Sequence, residues 1–369
     1  MLVTLLALIS AMFAQTATPS RFLLKGIYDE ANTLYGNPDT TFRTLGQLRT
    51  KAVRINLHWG GKYGVAGVDP TVRDADPNDG QYNWSLYDRA VLYATQYKIQ
   101  VVFSIVGTPN WANGNKGTRV APRNFDELRD FAYAATIRYS GGFSRASDGR
   151  RLPKVRYWMA WNEPNNPIWL FPQAVRGKFV SPQTYAKICN AVVTGVKSTL
   201  IRGNSVACGV TAPRGNNAPR SSRPSISPLA FLRGMKRWGA TGFDAYAHHP
   251  YYQYKNEKPS TPPRSKNAVQ LGNIGALDLE LRRLYGPKRI WITEYAYQTA
   301  PPRDNFGVTY AQQAAYVKQA WAIAKKHPRI DMLLWFLFKD DTNPGGWQSG
   351  FMTGSGVKKP SFNVFRNLR

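Results

Sequence analysis

Two patterns of apolar positions alternate along this chain. Val101 to Val106 (VVFSIV) is almost continuously apolar, as expected of a strand buried on both faces. Just before it, from about Ser85 to Tyr97, apolar residues recur at Leu86, Ala90 and the Tyr93-Ala94 pair, the spacing of a helix with one buried stripe. The same alternation predicts further strands at 23–28, 52–57, 155–160, 206–211, 243–249, 289–295 and 331–338. Helices are predicted near 40–50, 125–139, 181–200, 228–238, 268–285 and 310–326, with a last short one after Pro360. Local signals support the boundaries. Asn124 with Glu127 three residues on has the form of a capping box. Ser181 is an expected N-cap with Pro182 in the first turn, and Gly286-Pro287 stops the sixth helix.

Eight strand–helix units in strict order predict an α/β fold, a single (β/α)8 TIM barrel, with no linker or repeat that marks a second domain. Reacting groups in such a barrel belong at the C-terminal ends of its strands. The fourth strand ends in Trp161-Asn162-Glu163-Pro164-Asn165. Pro164 cannot donate to a sheet ladder, so pairing stops there and Glu163 is held at the rim. The seventh strand, Arg289-Ile290-Trp291-Ile292-Thr293-Glu294-Tyr295, also ends on a glutamate. Two strand-end glutamates far apart in sequence match the need of a retaining glycosidase, in which one protonates the leaving oxygen and the other attacks from the opposite face.

The WNEPN stretch resembles the acid/base motif of the clan of (β/α)8 glycoside hydrolases that includes families 5 and 39, and ITEYA resembles the nucleophile segment at the end of strand 7. The resemblance extends over most of the chain from about Leu23. It implies Glu163 as acid/base and Glu294 as nucleophile. No cofactor is expected, and no metal site either, since adjacent strand residues do not converge and the chain has only four histidines. The resemblance also implies that Asn162 holds a sugar hydroxyl, and that Arg54, in VRIN, stands beside the nucleophile, where it can equally serve as a structural ion pair. His249 and Tyr251 of HHPY resemble the strand-6 His-x-Tyr whose tyrosine hydrogen-bonds the nucleophile. Alternation places these two on one face and turns His248 to packing. Trp335 in LLWFLF resembles the strand-8 tryptophan that floors the sugar site, with core packing as the other role open to it. Trp111 in GTPNWA resembles a P-x-W-A segment of family 39-like members. Trp59, Trp169 and Trp347 fall in other loops of the same rim, as candidates for further subsites. One departure is that Asn56 stands where family 39 relatives often carry a histidine, while His58 comes later.

Composition then limits the setting. A hydrophobic content of 43% with 11 tryptophans supplies a large core and excludes general disorder. Residues 1–14 (MLVTLLALISAMFA) precede a polar break, so 1–17 are expected to be a signal peptide and 18–369 the exported catalytic domain. A helix packed on the barrel is the alternative. No later stretch is apolar enough for an integral membrane span. Cys189 and Cys208 fall on a predicted helix and the next strand, either as a disulfide or as two separate buried thiols. Lys and Arg number 49 against 22 Asp and Glu, a net charge of +27. Such a field attracts anionic partners, but no nucleic-acid motif accompanies it. Basic residues cluster after strand 5 (Arg214, Arg220, Arg223) and strand 6 (Lys255, Lys258, Arg264, Lys266), although helix positions such as Arg233 and Lys236 are basic too.

The expectation is a secreted, retaining glycoside hydrolase acting by double displacement on an oligo- or polysaccharide, with an anionic polymer among the candidates. A transglycosylase on the same site and a non-catalytic carbohydrate- or polyanion-binding barrel are the alternatives. The sequence carries no indication of oligomeric state.

Overall fold

The structure, a computed structural model, describes residues 23–70, 75–302 and 305–369. The expected signal peptide lies outside the described residues. Eight parallel strands close a barrel: β1 (Leu24–Tyr28), β2 (Ala52–His58), β3 (Gln100–Val106), β4 (Tyr157–Ala160), β5 (Ser205–Thr211), β6 (Ala245–His248), β7 (Arg289–Tyr295) and β8 (Ile330–Phe336). Each strand pairs with its sequence neighbours, and β8 pairs β1 in register from Leu24 opposite Met332 to Tyr28 opposite Phe336. Eight helices cover the outside: α1 (Pro38–Gln47), α2 (Ser85–Gln96), α3 (Phe125–Arg138), α4 (Ser181–Ser198), α5 (Pro228–Arg237), α6 (Ile274–Tyr285), α7 (Tyr310–Lys326) and α8 (Pro360–Asn367). Single-turn helices at Glu30–Thr33 and Asn110–Asn113, and a small hairpin pairing Ala174–Val175 with Lys178–Phe179, decorate the loops that follow strands.

The alternation of strand and helix holds at every unit, and the differences are at element ends. Ser181 begins α4 instead of capping it, and its hydroxyl donates to Gln173 Oε1 at 2.9 Å. Asn124 caps α3 by accepting from Asp126 N at 3.0 Å. The sixth helix begins later than the pattern indicated, because Gln270 and Asn273 form a reciprocal cap around a 3-10 turn at Leu271–Asn273.

Side chains of the barrel sort into two cores. Inside lie Val102, Met159, Met332, Leu334 and Trp291, with alanines 52, 207, 245 and 247 around them. Small residues opposite one indole let the interior fill without a pore. Outside, the other faces of the strands meet the helices in a continuous aromatic and aliphatic layer. A fully buried large side chain there contributes about 1.5–3 kcal/mol. Cys189 of α4 and Cys208 of β5 form a disulfide with Cα atoms 5.8 Å apart, a choice that sequence left open. Among the described residues, no helix is long and apolar enough to cross a membrane.

Candidate active site

The chain leaves β4 through two non-glycine residues with left-handed backbone, Trp161 (φ 71°) and Glu163 (φ 36°). Each such residue costs about 1–3 kcal/mol and persists only where its surroundings hold it. Here the hold is visible. Trp161 N donates to Ile105 O and Glu163 N to Val210 O, both at 2.8 Å. Trp161 Nε1 donates to Trp169 O at 2.8 Å. Asn165 accepts from Ala212 N at 2.8 Å and donates to Ile226 O at 2.9 Å. The carbonyl that receives Glu163 is aimed by an irregularity in β5 between Gly209 and Thr211. Gly209 has φ 87°, and a Cβ there would stand 2.3 Å from the Tyr246 ring, so only glycine fits. The motif is thus tied to β3 and to the loop after β5, and its glutamate is fixed over the barrel mouth.

Glu294, at the end of β7, approaches the same point from the other side. Arg54 Nη1 lies 2.7 Å from its Oε1, and Tyr251 Oη donates to its Oε2 at 3.0 Å. Arg54 is fully buried and divides its donors among Glu294, Asn162 Oδ1 at 2.6 Å and Asn56 Oδ1 at 3.2 Å. Asn56 in turn donates to Tyr28 Oη at 2.7 Å, and the Tyr28 ring stacks under the guanidinium at 4.3 Å. With its oxygen on Arg54, Asn162 presents its amide nitrogen to the pocket it lines.

His249 connects the two glutamates. Its Nε2 faces Arg54 Nη1 at 3.2 Å and Thr293 Oγ1 at 3.0 Å, and Nδ1 lies 3.0 Å from Glu163 Oε1. Arginine can only donate, so Nε2 is the accepting nitrogen and Nδ1 carries the proton. Burial pushes the imidazole down to about 3, with Arg54 adding to the effect against Glu294, so the ring is neutral. It therefore donates to Glu163 Oε1 and leaves Oε2, with Asn166 Nδ2 at 3.3 Å, toward the pocket. His248 points away, between Thr211 Oγ1 and Val269 O, as alternation indicated.

The two carboxyls sit in unlike settings. Glu294 rests against a guanidinium. Glu163 has no cation in contact, and burial raises it from 4.5 to about 7, while Asn166, Arg54 and Arg214 pull the other way. Burial likewise holds Tyr251 well above the ordinary phenol value, with both glutamates adding to it, so Tyr251 is a neutral donor. Among the described residues, Glu163, His249 and Glu294 are the group whose ligand-type atoms come close together, all within 4.8 Å. They do not fit a metal as arranged. The His249 nitrogen nearest both carboxylates carries a proton, and Arg54 already occupies the cation's place at Glu294.

These groups open into a cleft of about 400 Å³. Tyr28, Phe336 and Trp347 face Tyr251 and Glu294 on one side, and Trp169, Asn166 and Arg214 flank Glu163 on the other. Trp347 packs edge-on to Phe336 at 5.1 Å and near Tyr251 at 5.7 Å. Of the residues singled out in the sequence, Glu163, Glu294, Arg54, Asn162, His249 and Tyr251 are brought together. Trp335 is placed elsewhere. Met332 and Leu334 point into the barrel, so period two turns Trp335 outward, where it is buried against Tyr295 and Phe351 and donates to Ser349 O at 2.8 Å. Phe336 takes the inward position at the pocket. Trp111 is also outside the cleft; it donates to Ala66 O at 3.0 Å and packs edge-on against the buried Trp59, tying the loop after β3 to that after β2. Sequence reasoning passed over Tyr28, Asn166, Tyr252 and Phe336. The unbroken apolar run of β8 hides its phase, so the sequence carries no signal for Phe336; Tyr28 is the last residue of β1, and Asn166 and Tyr252 lie past strand ends, where no periodicity applies.

Residues 268–365 match the family model described as Glycosyl hydrolase catalytic core, a span that includes β7, β8 and Glu294. In fold, the chain is similar to a family 39 glycoside hydrolase from the gut symbiont Bacteroides cellulosilyticus WH2, with 18% identity and a TM-score of 0.64 over 94% of this chain and 63% of that one. It is similar to a glucosidase from Croceicoccus marinus, with 13% identity and a TM-score of 0.65 over 95% of this chain and 67% of that one. It is also similar to the family 39 enzyme from Xanthomonas axonopodis pv. citri, with 18% identity and a TM-score of 0.60 over 95% of this chain and 67% of that one. The chain thus spans about two thirds of the length of these structures. No curated protein matches it in sequence. Residues 268–365, Glu294 among them, thus resemble a glycosyl hydrolase catalytic core, and the chain shares its (β/α)8 barrel fold with solved glycoside hydrolases.

Proposed function

We propose that the protein is an exported, retaining glycosidase that cleaves an oligo- or polysaccharide by double displacement. The observation that carries the mechanism is the approach of the two carboxylates, an oxygen of each lying within 4.8 Å of the other. Retaining enzymes hold their carboxyls about 5–5.5 Å apart, whereas inverting enzymes leave about 6.5–9.5 Å for a water. In the first step Glu294 attacks the anomeric carbon, and the bond to the leaving oxygen breaks as Glu163 hands it a proton. A glycosyl ester on Glu294 results. In the second step Glu163, now ionised, takes a proton from water, and that water displaces Glu294. A carboxyl raised to about 7 suits a group that must be acid and then base near neutral pH. The amide of Asn162 is placed for a sugar hydroxyl, and the rings of Trp347, Phe336 and Tyr28 suit the apolar C–H faces of a pyranose.

The test is stereochemical. A panel of aryl glycosides identifies a cleaved sugar, and proton NMR of the first anomer formed reads the outcome. An anomer of the substrate's own configuration is expected, and the opposite one overturns the mechanism. Export is supported by the Cys189–Cys208 disulfide, which suits an oxidising compartment. Recovery of the protein from the producing cell's cytosol with both thiols reduced would overturn that part.

A further inference from the structure

The cleft is not symmetric in charge. Glu163 is tied through its backbone to Val210 of β5, and Arg214 lies four residues further on, lining the cleft beside it. An acid/base catalyst faces the leaving oxygen, so this flank is the leaving-group side. Arg214 Nη1 donates to Tyr252 O at 3.2 Å, which fixes the guanidinium in the wall. Among the described residues it makes no ion pair, and it is an exposed residue that lines the cleft.

The surrounding rim repeats this sign. The segments from the ends of β3, β4, β5 and β6 to their helices carry twelve Lys or Arg and two carboxylates, Glu163 and Glu257. Glu257 is buried in the wall, accepting from Gln253 N, Tyr254 N and Gln270 Nε2, and its charge acts on Arg214 without an ion-pair contact. On the opposite flank, the segments after β1 and β2 carry five carboxylates and one lysine among the described residues. The positive charge therefore forms an arc on the leaving-group side of the cleft. Low-dielectric walls focus such a field on what enters.

We propose that this flank receives an anionic sugar residue on the leaving-group side of the scissile bond, with Arg214 bound to its carboxylate or sulfate. This inference rests on the glycosidase reading above and adds the substrate class and its polarity. Arg214 is a specificity-determining residue of that site, and its planar fork matches a two-oxygen anion.

The experiment compares polysaccharides with and without their charge. Glucuronoxylan and alginate are used before and after carbodiimide–borohydride reduction of the carboxyls, and chondroitin sulfate before and after desulfation. For the cleaved polymer, kcat/KM should exceed that of its neutral form by about 10- to 100-fold, the effect of a hydrogen bond to a charged group. Arg214→Gln should bring that ratio near one, and Arg214→Lys should keep part of it. Mass spectrometry should find the charged residue at the new non-reducing end of the released fragment. A wild-type ratio near one, an unchanged ratio in Arg214→Gln, or a charged residue only at the new reducing end overturns the proposal. Binding of the same polymer pairs to Glu294→Gln protein, read by calorimetry, gives the ratio without turnover. Equal binding there also overturns it, whereas preference for the charged polymer without any cleavage by the wild type counts against the glycosidase reading alone.

Discussion

Replacing Glu163 by glutamine removes a titrating group and keeps the side chain's size. The folded protein holds this carboxyl protonated up to about 7, while its ordinary value is 4.5. Between those two values the unfolded chain binds fewer protons than the folded one, so the stability of the wild type falls as pH rises. The protonated form's advantage is complete below 4.5 and is lost through about 7. At about 1.36 kcal/mol per pH unit, that interval makes about 3 kcal/mol. The side chain is only 14% exposed, so little of this is screened. Glutamine does not titrate, and every other group is common to both proteins. The variant's stability relative to the wild type should therefore rise by about 3 kcal/mol between pH 4 and pH 8. For a chain of this size the unfolding entropy is roughly 0.8 kcal/mol/K, so the difference in Tm should grow by about 4 °C. Scanning calorimetry at the two pH values measures it. The kinetic counterpart is an alkaline limb near pH 7 in wild-type kcat/KM, because the acid form disappears as pH rises. That limb should be missing from Glu163→Gln assayed on an activated aryl glycoside. Parallel Tm curves for the two proteins, or a limb that survives the substitution, would refute the reasoning.

Other substitutions separate roles and placements. Glu294→Ala should abolish turnover on every substrate; with azide it should yield a glycosyl azide of inverted configuration, and Glu163→Ala one of retained configuration, both read by NMR. Phe336→Ala should raise KM with little change in Tm, and Trp335→Ala should cost about 3–5 kcal/mol of stability, since it empties the buried outer layer. The opposite split would return the sugar floor to Trp335. The disulfide closes a segment of sequence separation 19, so replacing both cysteines by alanine should cost about 3 kcal/mol in denaturant unfolding. A loss below about 1 kcal/mol would show that the α4–β5 contact holds the segment without it.

The barrel and the glutamates at its strand ends were legible in the sequence because both depend on local chemistry. A strand buried on both faces must be apolar throughout, as Val101–Val106 is, and a helix covering it must carry an apolar stripe. Pro164 and the strand-end positions of Glu163 and Glu294 mark the rim without reference to any distant residue. That same continuity of apolar residues erased the phase of β8. In LLWFLF no polar residue says which side faces inward, and only the partners Met332 and Leu334, set by closure of β8 on β1, send Phe336 to the pocket and Trp335 away from it. The tautomer of His249 follows from an arginine 195 positions earlier in the chain. The strained φ of Glu163 follows from a carbonyl on β5, and the place of Arg214 beside the acid follows from the loop after that strand. Sequence by itself determined which residues are apolar, where strands stop and which chemical groups stand at their ends. Only the tertiary structure decided distances, side-chain phase and protonation, because each of these depends on atoms that the closure of the barrel brings together from remote parts of the chain.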